Sequence, residues 1–336
     1  MMKGKTDLAA TFCKKYYDLA IKHNTSYSKR FIATVLQSEH PDEFKDVEEA
    51  RSFIRRVLGQ SGNKERKSVG SKYDELRTQM AFIEQPIQEI DFKHYILPKG
   101  YNKPLFIADL HGLFHDRTAI DITLNYAIKE KCDCVIILGD FLDNYQHSFF
   151  SKSNIIAEQF WKERDWGIDI LKLLQDVFGF VVLKLGNHDG RREKAIEQLP
   201  PKFSDLIELA SYEDYLRFDG SAVKFVEPYN IVQVGKLNCI HGDEIYGGGG
   251  IHVAYNRLNK AFDNIISAHS HIISQTPPRA TISGEVFGSW TIGCLCNLHP
   301  RYNPINQWRH GFAVVEVEDD GMFIVNNRHI IDGRIF

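Results

Sequence analysis

The stretch FVVLKLGNHDGRRE, residues 180–193, is the part of the sequence that decides the fold. Its first six residues are mostly apolar and predict a buried strand. Gly186 ends that strand, and Asn187, His188 and Asp189 follow at once. Because a strand in a packed sheet is rigid, it would hold an amide, an imidazole and a carboxylate in one place. The pattern is typical of a strand end that carries a functional site, with Asp189 as a support for the turn.

Four further apolar runs have the same character, at residues 105–108, 135–138, 231–240 and 264–268. Segments with helical periodicity, such as residues 120–129 and 158–177, separate them. Strands that alternate with helices predict an α/β sheet. The tail, residues 311–330, predicts a β-hairpin with its turn at residues 318–321.

The first 60 residues predict a small helical domain. Residues 61–100 are interpreted as a basic linker and lead-in, and residues 101–336 as the catalytic domain. Three short helices before a basic linker are weakly similar to a helix-turn-helix module. The gap from Gln37 to Asp46 is longer than the 3–4-residue turn of that motif. A docking or oligomerisation domain therefore stays an equal alternative.

Composition is that of a globular protein, with 336 residues, 43% hydrophobic, 25% charged and a net charge of -3. The charge excludes a uniformly basic nucleic-acid coat but allows a local basic patch. The sequence has no apolar run of signal-peptide or membrane-spanning length, so we expect a cytoplasmic protein without membrane contact. The six cysteines are interpreted as reduced thiols, with a second metal site from the Cys132–Cys134 and Cys294–Cys296 pairs as the alternative.

Each of these five apolar runs ends in residue types that bind metals. The residues are Asp109, His111, Asp140, Asp143, Asn187, His188, His241, His269 and His271. In an open α/β sheet the carboxyl ends of the strands share one crevice, so these side chains should converge. They are too many for one structural zinc, which takes four ligands. Mixed carboxylate and imidazole ligands favour a pair of Mn, Fe or Zn ions.

The ordered set D-x-H, G-D-x-x-D, G-N-H-D, H-G and H-x-H, from Asp109 to His271, resembles the calcineurin-like metallophosphoesterase superfamily. Residues 293–317 and the helical N-terminal region are similar to phage-type members, which would place the protein in a host cytoplasm. The resemblance implies a two-layer β-sandwich flanked by helices after a small α-helical domain. The chain departs from the family pattern at Ala268, where glycine is usual.

The resemblance also implies a role for each motif residue. The first metal would be held by Asp109, His111 and His271, the second by Asn187, His241 and His269, with Asp140 as the bridge. His188 would protonate the leaving group and Asp143 would orient it. Arg191 would contact phosphate, although the sequence does not separate it from Arg192.

The implied reaction is hydrolysis of a phosphate ester by in-line attack of a metal-bridging hydroxide, with two divalent ions, manganese favoured. Tyr145 and His147 are further candidate substrate contacts. Residues 51–72 contain seven basic residues and one acidic residue, which favours a phosphodiester in nucleic acid. One alternative is a phosphomonoesterase or protein phosphatase. Another is a nucleic-acid-binding or scaffold protein with a non-catalytic metal site, against which the complete ligand set argues.

Overall fold

The computed structural model describes residues 2–23, 25–58, 92–148, 159–200, 211–217, 222–247, 250 and 252–336. The chain divides into two compact units, Met1–Gln88 and Glu89–Phe336. Residues 61–91 of the predicted linker and lead-in lie outside the described residues. The proposed division at residues 60 and 100 stays a prediction.

The N-terminal unit contains the predicted helices, α1 (Met2–Lys22), α2 (Lys29–Glu39) and α3 (Val47–Val57). The Ser28 hydroxyl caps α2 and the Asp46 carboxylate caps α3 by accepting backbone N–H groups. The helices bury one shared apolar cluster that includes Leu36, Phe44 and Ile54. Residues 40–46 connect α2 to α3, which is longer than a helix-turn-helix turn.

Two sheets form the framework of the second unit. Among the described residues, the larger sheet has seven strands in the spatial order β15–β14–β13–β2–β3–β4–β5. Its parallel strands are β2 (Pro104–Ile107), β3 (Cys134–Leu138), β4 (Val181–Lys184) and β5 (Val223–Val226). Its antiparallel strands are β13 (His310–Val317), β14 (Phe323–Ile331) and β15 (Arg334–Ile335).

The smaller sheet has the described order β1–β6–β7–β8–β12–β9. Its strands are β1 (His94–Ile96), β6 (Ile231–Val234), β7 (Leu237–Cys239), β8 (Ile265–Ser267), β9 (Ser274–Gln275) and β12 (Ser289–Thr291). A separate hairpin pairs β10 (Arg279–Ala280) with β11 (Val286–Phe287). Strand β1 lies in the predicted lead-in and pairs in parallel with β6.

The single strand predicted for residues 231–240 is wrong, because β6 and β7 form an antiparallel hairpin there. Gly235 makes the turn with a φ of +58°, a left-handed conformation that glycine adopts without a steric penalty. The predicted C-terminal hairpin is confirmed as β13 and β14.

Residues alternate between two cores along the parallel strands. Leu105, Ile137 and Leu183 face the helical layer, which includes α4 (Arg117–Lys129) and α5 (Phe160–Phe178). Their strand neighbours, such as Phe106 and Ile136, pack against residues of the smaller sheet, such as Ile266. Burial on both faces explains why these strands read as nearly continuous apolar runs. The predicted two-layer sandwich flanked by helices is thereby confirmed.

The remaining described helices are α6 (Arg191–Glu197), α7 (Tyr212–Leu216) and α8 (Val253–Ala261), of which α8 packs against the smaller sheet. None of the helices in the described ranges is long and apolar enough to cross a bilayer.

Candidate metal centre

The metal-binding residue types lie in the loops that follow five strands. Asp109 and His111 follow β2, Asp140 follows β3, Asn187 follows β4, His241 follows β7, and His269 and His271 follow β8. Strands β2, β3 and β4 are parallel neighbours, and so are β7 and β8. Their carboxyl ends therefore bring distant segments of the sequence together.

Five of these residues have left-handed backbone conformations. They are Asp109, His111, Asp140, His269 and His271, with φ between 50° and 65°. Such conformations cost energy outside glycine and are concentrated at functional sites. Backbone bonds between loops hold them, including those from the Asp109 N–H to Gly139 (3.1 Å) and from the His111 N–H to Asp140 (3.0 Å).

A first group of donors lies around His271. Its Nε2 lies 3.2 Å from Nε2 of His111 and 3.3 Å from Oδ1 of Asp109. That Asp109 oxygen is buried and accepts no hydrogen bond from the described residues. A buried carboxylate oxygen without a donor is costly, whereas a cation in contact with all three atoms would satisfy it.

A second group of donors lies around His241. Its Nε2 lies 3.2 Å from Nδ1 of His269, 3.3 Å from Oδ1 of Asn187 and 3.2 Å from Oδ2 of Asp140. The same Asp140 oxygen lies 3.9 Å from Nε2 of His111, in the first group. Asp140 thus stands between the two groups, where a bridging carboxylate would be.

These donor sets fit two divalent ions. Atoms that bind one ion at about 2.0–2.2 Å lie about 3 Å from each other, close to the observed separations. Asp140, His241 and His269 form one cluster with metal-binding potential, and His111 and His271 belong to another. The chemistry of the donors, carboxylate, amide and imidazole, suits Mn, Fe or Zn.

Buried carboxylates and imidazoles in the centre shift one another's pKa values. Burial alone would lower the pKa of His241, but the carboxylate of Asp140 more than reverses this and raises it to about 10. Burial and the neighbouring His241 charge lower the pKa of His269 to about 4. Burial raises the pKa of Asp140, yet the surrounding imidazoles bring it well below its ordinary value. The carboxylate is therefore ionised, as a metal ligand must be.

His188 lies beside the donor groups and is held by Asp143. Oδ1 of Asp143 accepts from Nδ1–H of both His188 (2.8 Å) and His111 (3.1 Å). Arg191 donates to the main-chain oxygen of Asp143 (2.8 Å) and to Nε2 of His188 (3.0 Å). Since a guanidinium can only donate, this Nε2 accepts and the proton of the ring sits on Nδ1. Burial, the largest influence, lowers the pKa of His188.

The structure separates the two arginines that the sequence could not. Arg191 reaches His188, whereas the guanidinium of Arg192 lies over the ring of Tyr215, 4.5 Å from its centroid. Tyr145 and His147 lie in one 3₁₀ turn, with the Tyr145 ring 5.9 Å from that of Phe114. A role for Arg192 and for this turn in substrate binding stays a prediction.

The buried Asp189 carboxylate accepts hydrogen bonds from two neighbouring loops and from Tyr212. It accepts from the N–H groups of Gly186 (2.9 Å), Leu142 (3.0 Å) and Phe141 (3.2 Å) and from the Tyr212 hydroxyl (2.9 Å). It fixes the loop after β4 against the loop after β3. Asp189 therefore supports the turn instead of facing a metal.

A buried ion pair that the sequence did not reveal supports His241. Nζ of Lys184 lies 2.7 Å from the Glu244 carboxylate, which also accepts the N–H groups of His241 (3.3 Å) and Gly242 (2.6 Å). Lys184 is wholly buried at the end of β4. The pair therefore ties the Asn187 strand to the loop that carries His241.

Two more supports come from distant segments. The buried Glu163 carboxylate on α5 accepts the N–H groups of Asp143 (2.8 Å) and Asn144 (3.2 Å). Behind His271, the Cys296 sulfur lies 3.8 Å from Nδ1. The six cysteines, all among the described residues, form no disulfide. Cys296 belongs to a cluster with His111 and His271, so the predicted alternative of a separate metal site from cysteine pairs has no support here.

A cleft of about 460 Å³ opens beside Asn187. Four carboxylates and two lysines line it, among them Glu193 and Glu227. Burial and the neighbouring Glu227 and Glu197 charges raise the pKa of Glu193 to about 7. The cleft is thus poorly suited to a further phosphate group.

The ligand motifs, their order and the sandwich together define the class of protein. The chain belongs to the calcineurin-like phosphoesterase family, whose model matches residues 103–288, and it is a metal-dependent phosphohydrolase. The family prediction is thereby confirmed.

The chain is also similar to several solved structures. Vacuolar protein sorting 29 from Cryptosporidium parvum is 13% identical, with 70% of this chain and 94% of that chain covered and a TM-score of 0.40. The E. coli phosphoesterase YfcE is 16% identical, with 66% and 96% covered and a TM-score of 0.31. A dimetal phosphatase from Danio rerio is 12% identical, with 68% and 96% covered and a TM-score of 0.35. No curated protein matches the chain significantly.

Proposed function

We propose that the protein hydrolyses phosphodiesters, with nucleic acid as its substrate class. The supporting observation is the group formed by His188, Asp143 and Arg191 beside two donor sets that share Asp140. Arg191 brings one guanidinium to His188, and Arg192 lies against Tyr215. One guanidinium matches the single charge of a diester better than the double charge of a monoester.

In this proposal the protein holds two divalent ions, with manganese favoured. Asp109, His111 and His271 would hold one ion, Asn187, His241 and His269 would hold the other, and Asp140 would be shared between them. When bound, such ions supply a hydroxide nucleophile near neutral pH and stabilise charge on the phosphoryl oxygens.

In this proposal Arg191 binds the phosphate group and His188 transfers a proton to the leaving oxygen. The Arg191 guanidinium donates to His188 in the structure, and an entering phosphate offers it a stronger, charged acceptor. Nε2 of His188 is then free to take a proton from solvent before the chemical step and to give that proton to the leaving oxygen as its bond to phosphorus breaks. Asp143 keeps the other ring nitrogen protonated and so holds the ring in orientation.

The test compares substrates and matched variants in the presence of manganese. Aryl phosphodiesters, aryl phosphomonoesters, and single- and double-stranded DNA and RNA are assayed with the full chain. We expect diesters to have the higher kcat/KM. Faster monoester hydrolysis would instead identify a phosphomonoesterase or protein phosphatase. Two bound metals without turnover of any ester would identify a binding or scaffold protein.

Single substitutions test the proposed roles of His188 and Arg191. His188→Ala should reduce kcat by about 10²–10⁴-fold with both metals retained, the range for loss of a general acid. Arg191→Ala should lower kcat/KM by about 10- to 150-fold, equivalent to one charge-assisted contact. Arg192→Ala is the matched control, and a loss as large as that of Arg191→Ala would contradict the assignment.

We further propose that residues 51–72 contact nucleic-acid phosphates. Of this region, Arg51, Arg55 and Arg56 of α3 are described; Arg51 lies 3.3 Å from Glu48 and Arg56 lies over Phe53. Deletion of residues 1–72 should weaken binding to DNA or RNA and flatten its dependence on salt. An unchanged salt-dependent affinity would remove this role.

A further inference from the structure

The loop between Cys296 and β13, residues 297–309, is named the aromatic loop. It has an ordered interior: the Asn306 side chain donates to the main-chain oxygens of Leu298 and Asn303, both at 2.7 Å. Its Oδ1 accepts from the Trp308 N–H at 2.8 Å. A loop with this many internal bonds holds its exposed side chains in defined places.

The aromatic loop is attached to the metal centre. The Trp308 ring lies 4.1 Å from the His271 ring, centroid to centroid, at 59°. The Arg309 N–H also donates to the main-chain oxygen of His271 (2.9 Å). The loop therefore forms a wall of the first donor group.

The exposed side of this loop is aromatic and cationic. The Tyr302 side chain is 74% exposed, although its ring lies 6.2 Å from that of Trp308. Arg301 and Arg309 are exposed as well. A large ring held in solvent beside a reaction site offers a flat surface to a ligand.

The geometry points to a stacking platform for a nucleobase: we propose that the base of a substrate nucleotide packs on Tyr302 while Arg301 and Arg309 face the adjoining phosphates. The inference rests on the proposed phosphodiesterase function and names the substrate group recognised. Aromatic rings stack on any base without regard to sequence, and nearby guanidinium groups attract the backbone.

The test uses two diesters that share one leaving group, thymidine 5′-(4-nitrophenyl phosphate) and methyl 4-nitrophenyl phosphate. For the full chain with manganese, the measured quantity is the ratio of their kcat/KM values. Tyr302→Ala should lower this ratio by about 5- to 150-fold, the range for one base–aromatic stack. Tyr302→Phe should keep the ratio, because the ring and not the hydroxyl supplies the stacking.

Ile305→Ala is the matched control, since Ile305 is 92% exposed on the same loop but has no ring. An equal loss on both esters in Tyr302→Ala would show that the residue acts through His271 and would overturn the platform. An unchanged ratio, or a fall of the same size in Ile305→Ala or in Tyr302→Phe, would also overturn it.

Direct binding separates this proposal from the proposed function. If the wild type hydrolyses neither diester, the phosphodiesterase proposal fails, and the platform is tested by calorimetry with thymidine 5′-monophosphate and methyl phosphate. The platform predicts about 5- to 150-fold tighter binding of the nucleotide, lost in Tyr302→Ala. Equal affinities in the wild type would overturn it.

Discussion

Asp143 is predicted to control metal binding and turnover at once, because one of its oxygens serves two imidazoles. Oδ1 accepts from His188 at 2.8 Å and from His111 at 3.1 Å, and the Asp143 side chain is buried. Asp143→Asn keeps an acceptor oxygen but removes the charge. A hydrogen bond to a charged group contributes about 1.5–3 kcal/mol, against about 0.5–1.5 kcal/mol for a neutral one.

The expected loss follows from those two bonds. About 1–1.5 kcal/mol per bond gives about 5- to 13-fold for each imidazole, since 1.36 kcal/mol is tenfold. The bond to His111 should appear as weaker metal affinity and the bond to His188 as a lower kcat at saturating metal. The contact with Arg191 adds to the loss. In the wild type its guanidinium lies 3.3 Å from Oδ2 of Asp143, and in Asp143→Asn it would face the amide N–H₂ group, which cannot accept a hydrogen bond.

The assay is metal titration of the metal-free protein against a fluorescent chelator, followed by diester hydrolysis at saturating manganese. His188→Ala is the comparison, since it should reduce kcat without weakening metal binding. If Asp143→Asn lowers kcat but leaves metal affinity unchanged, the bond to His111 does not orient that ligand. If both quantities are unchanged, the reasoning about the shared carboxylate is refuted.

Three other perturbations follow from the buried contacts. Lys184→Met should reduce the free energy of unfolding by about 3–5 kcal/mol, because it leaves the buried Glu244 carboxylate without its cationic partner. The double variant Lys184→Met/Glu244→Gln should recover most of that loss. If the losses of the two single variants simply add in the double variant, Lys184 and Glu244 do not stabilise each other. Tryptophan fluorescence suits the measurement because all four tryptophans lie in the Glu89–Phe336 unit. Gly112→Ala should cost about 1–3 kcal/mol, since its φ is +52° and the new Cβ would lie 2.2 Å from the Glu163 carboxylate. Gly100 also has a positive φ, but a Cβ added there would have no neighbour within 4 Å. If Gly100→Ala reduces the free energy of unfolding as much as Gly112→Ala does, backbone strain alone explains the loss and the clash with Glu163 does not contribute. Metal binding near pH 7 should release protons, because three of the proposed ligand imidazoles, those of His111, His241 and His271, have raised pKa values in the metal-free protein. Calorimetric heats that are identical in buffers of different ionisation enthalpy would contradict this.

The sequence predicted the strand ends well because their chemistry is local. Parallel strands buried on both faces read as apolar runs, and the polar residues just after them, such as Asp140 and Asn187, stand out. The apolar pattern of residues 231–240 predicts one strand, although it contains the signal of a hairpin. Gly235 interrupts the alternating pattern and forms the turn between β6 and β7.

The supporting contacts could not be predicted because their partners are far apart in the chain. Lys184 sits inside an apolar strand, and its partner Glu244 is 60 positions later, so neither signals the other. Arg191 and Arg192 differ by direction alone, since successive helical residues point about 100° apart. The hydrogen bond from Arg191 to Nε2 of His188 shows which of them faces the imidazole.

The left-handed backbone of the five proposed metal-ligand residues carries a cost in stability. Each such conformation costs about 1–3 kcal/mol outside glycine, with Asp, Asn and His at the low end. Glycine at position 109, 140 or 269 would relieve that cost and remove a metal donor. Glycine would also remove buried hydrogen bonds, since Asp109 accepts from the His269 N–H and Asp140 accepts from the His188 N–H. The same carboxylates therefore hold the loops together and offer oxygen to the proposed metals, so the stability of this edge of the sheet and its chemistry depend on the same side chains.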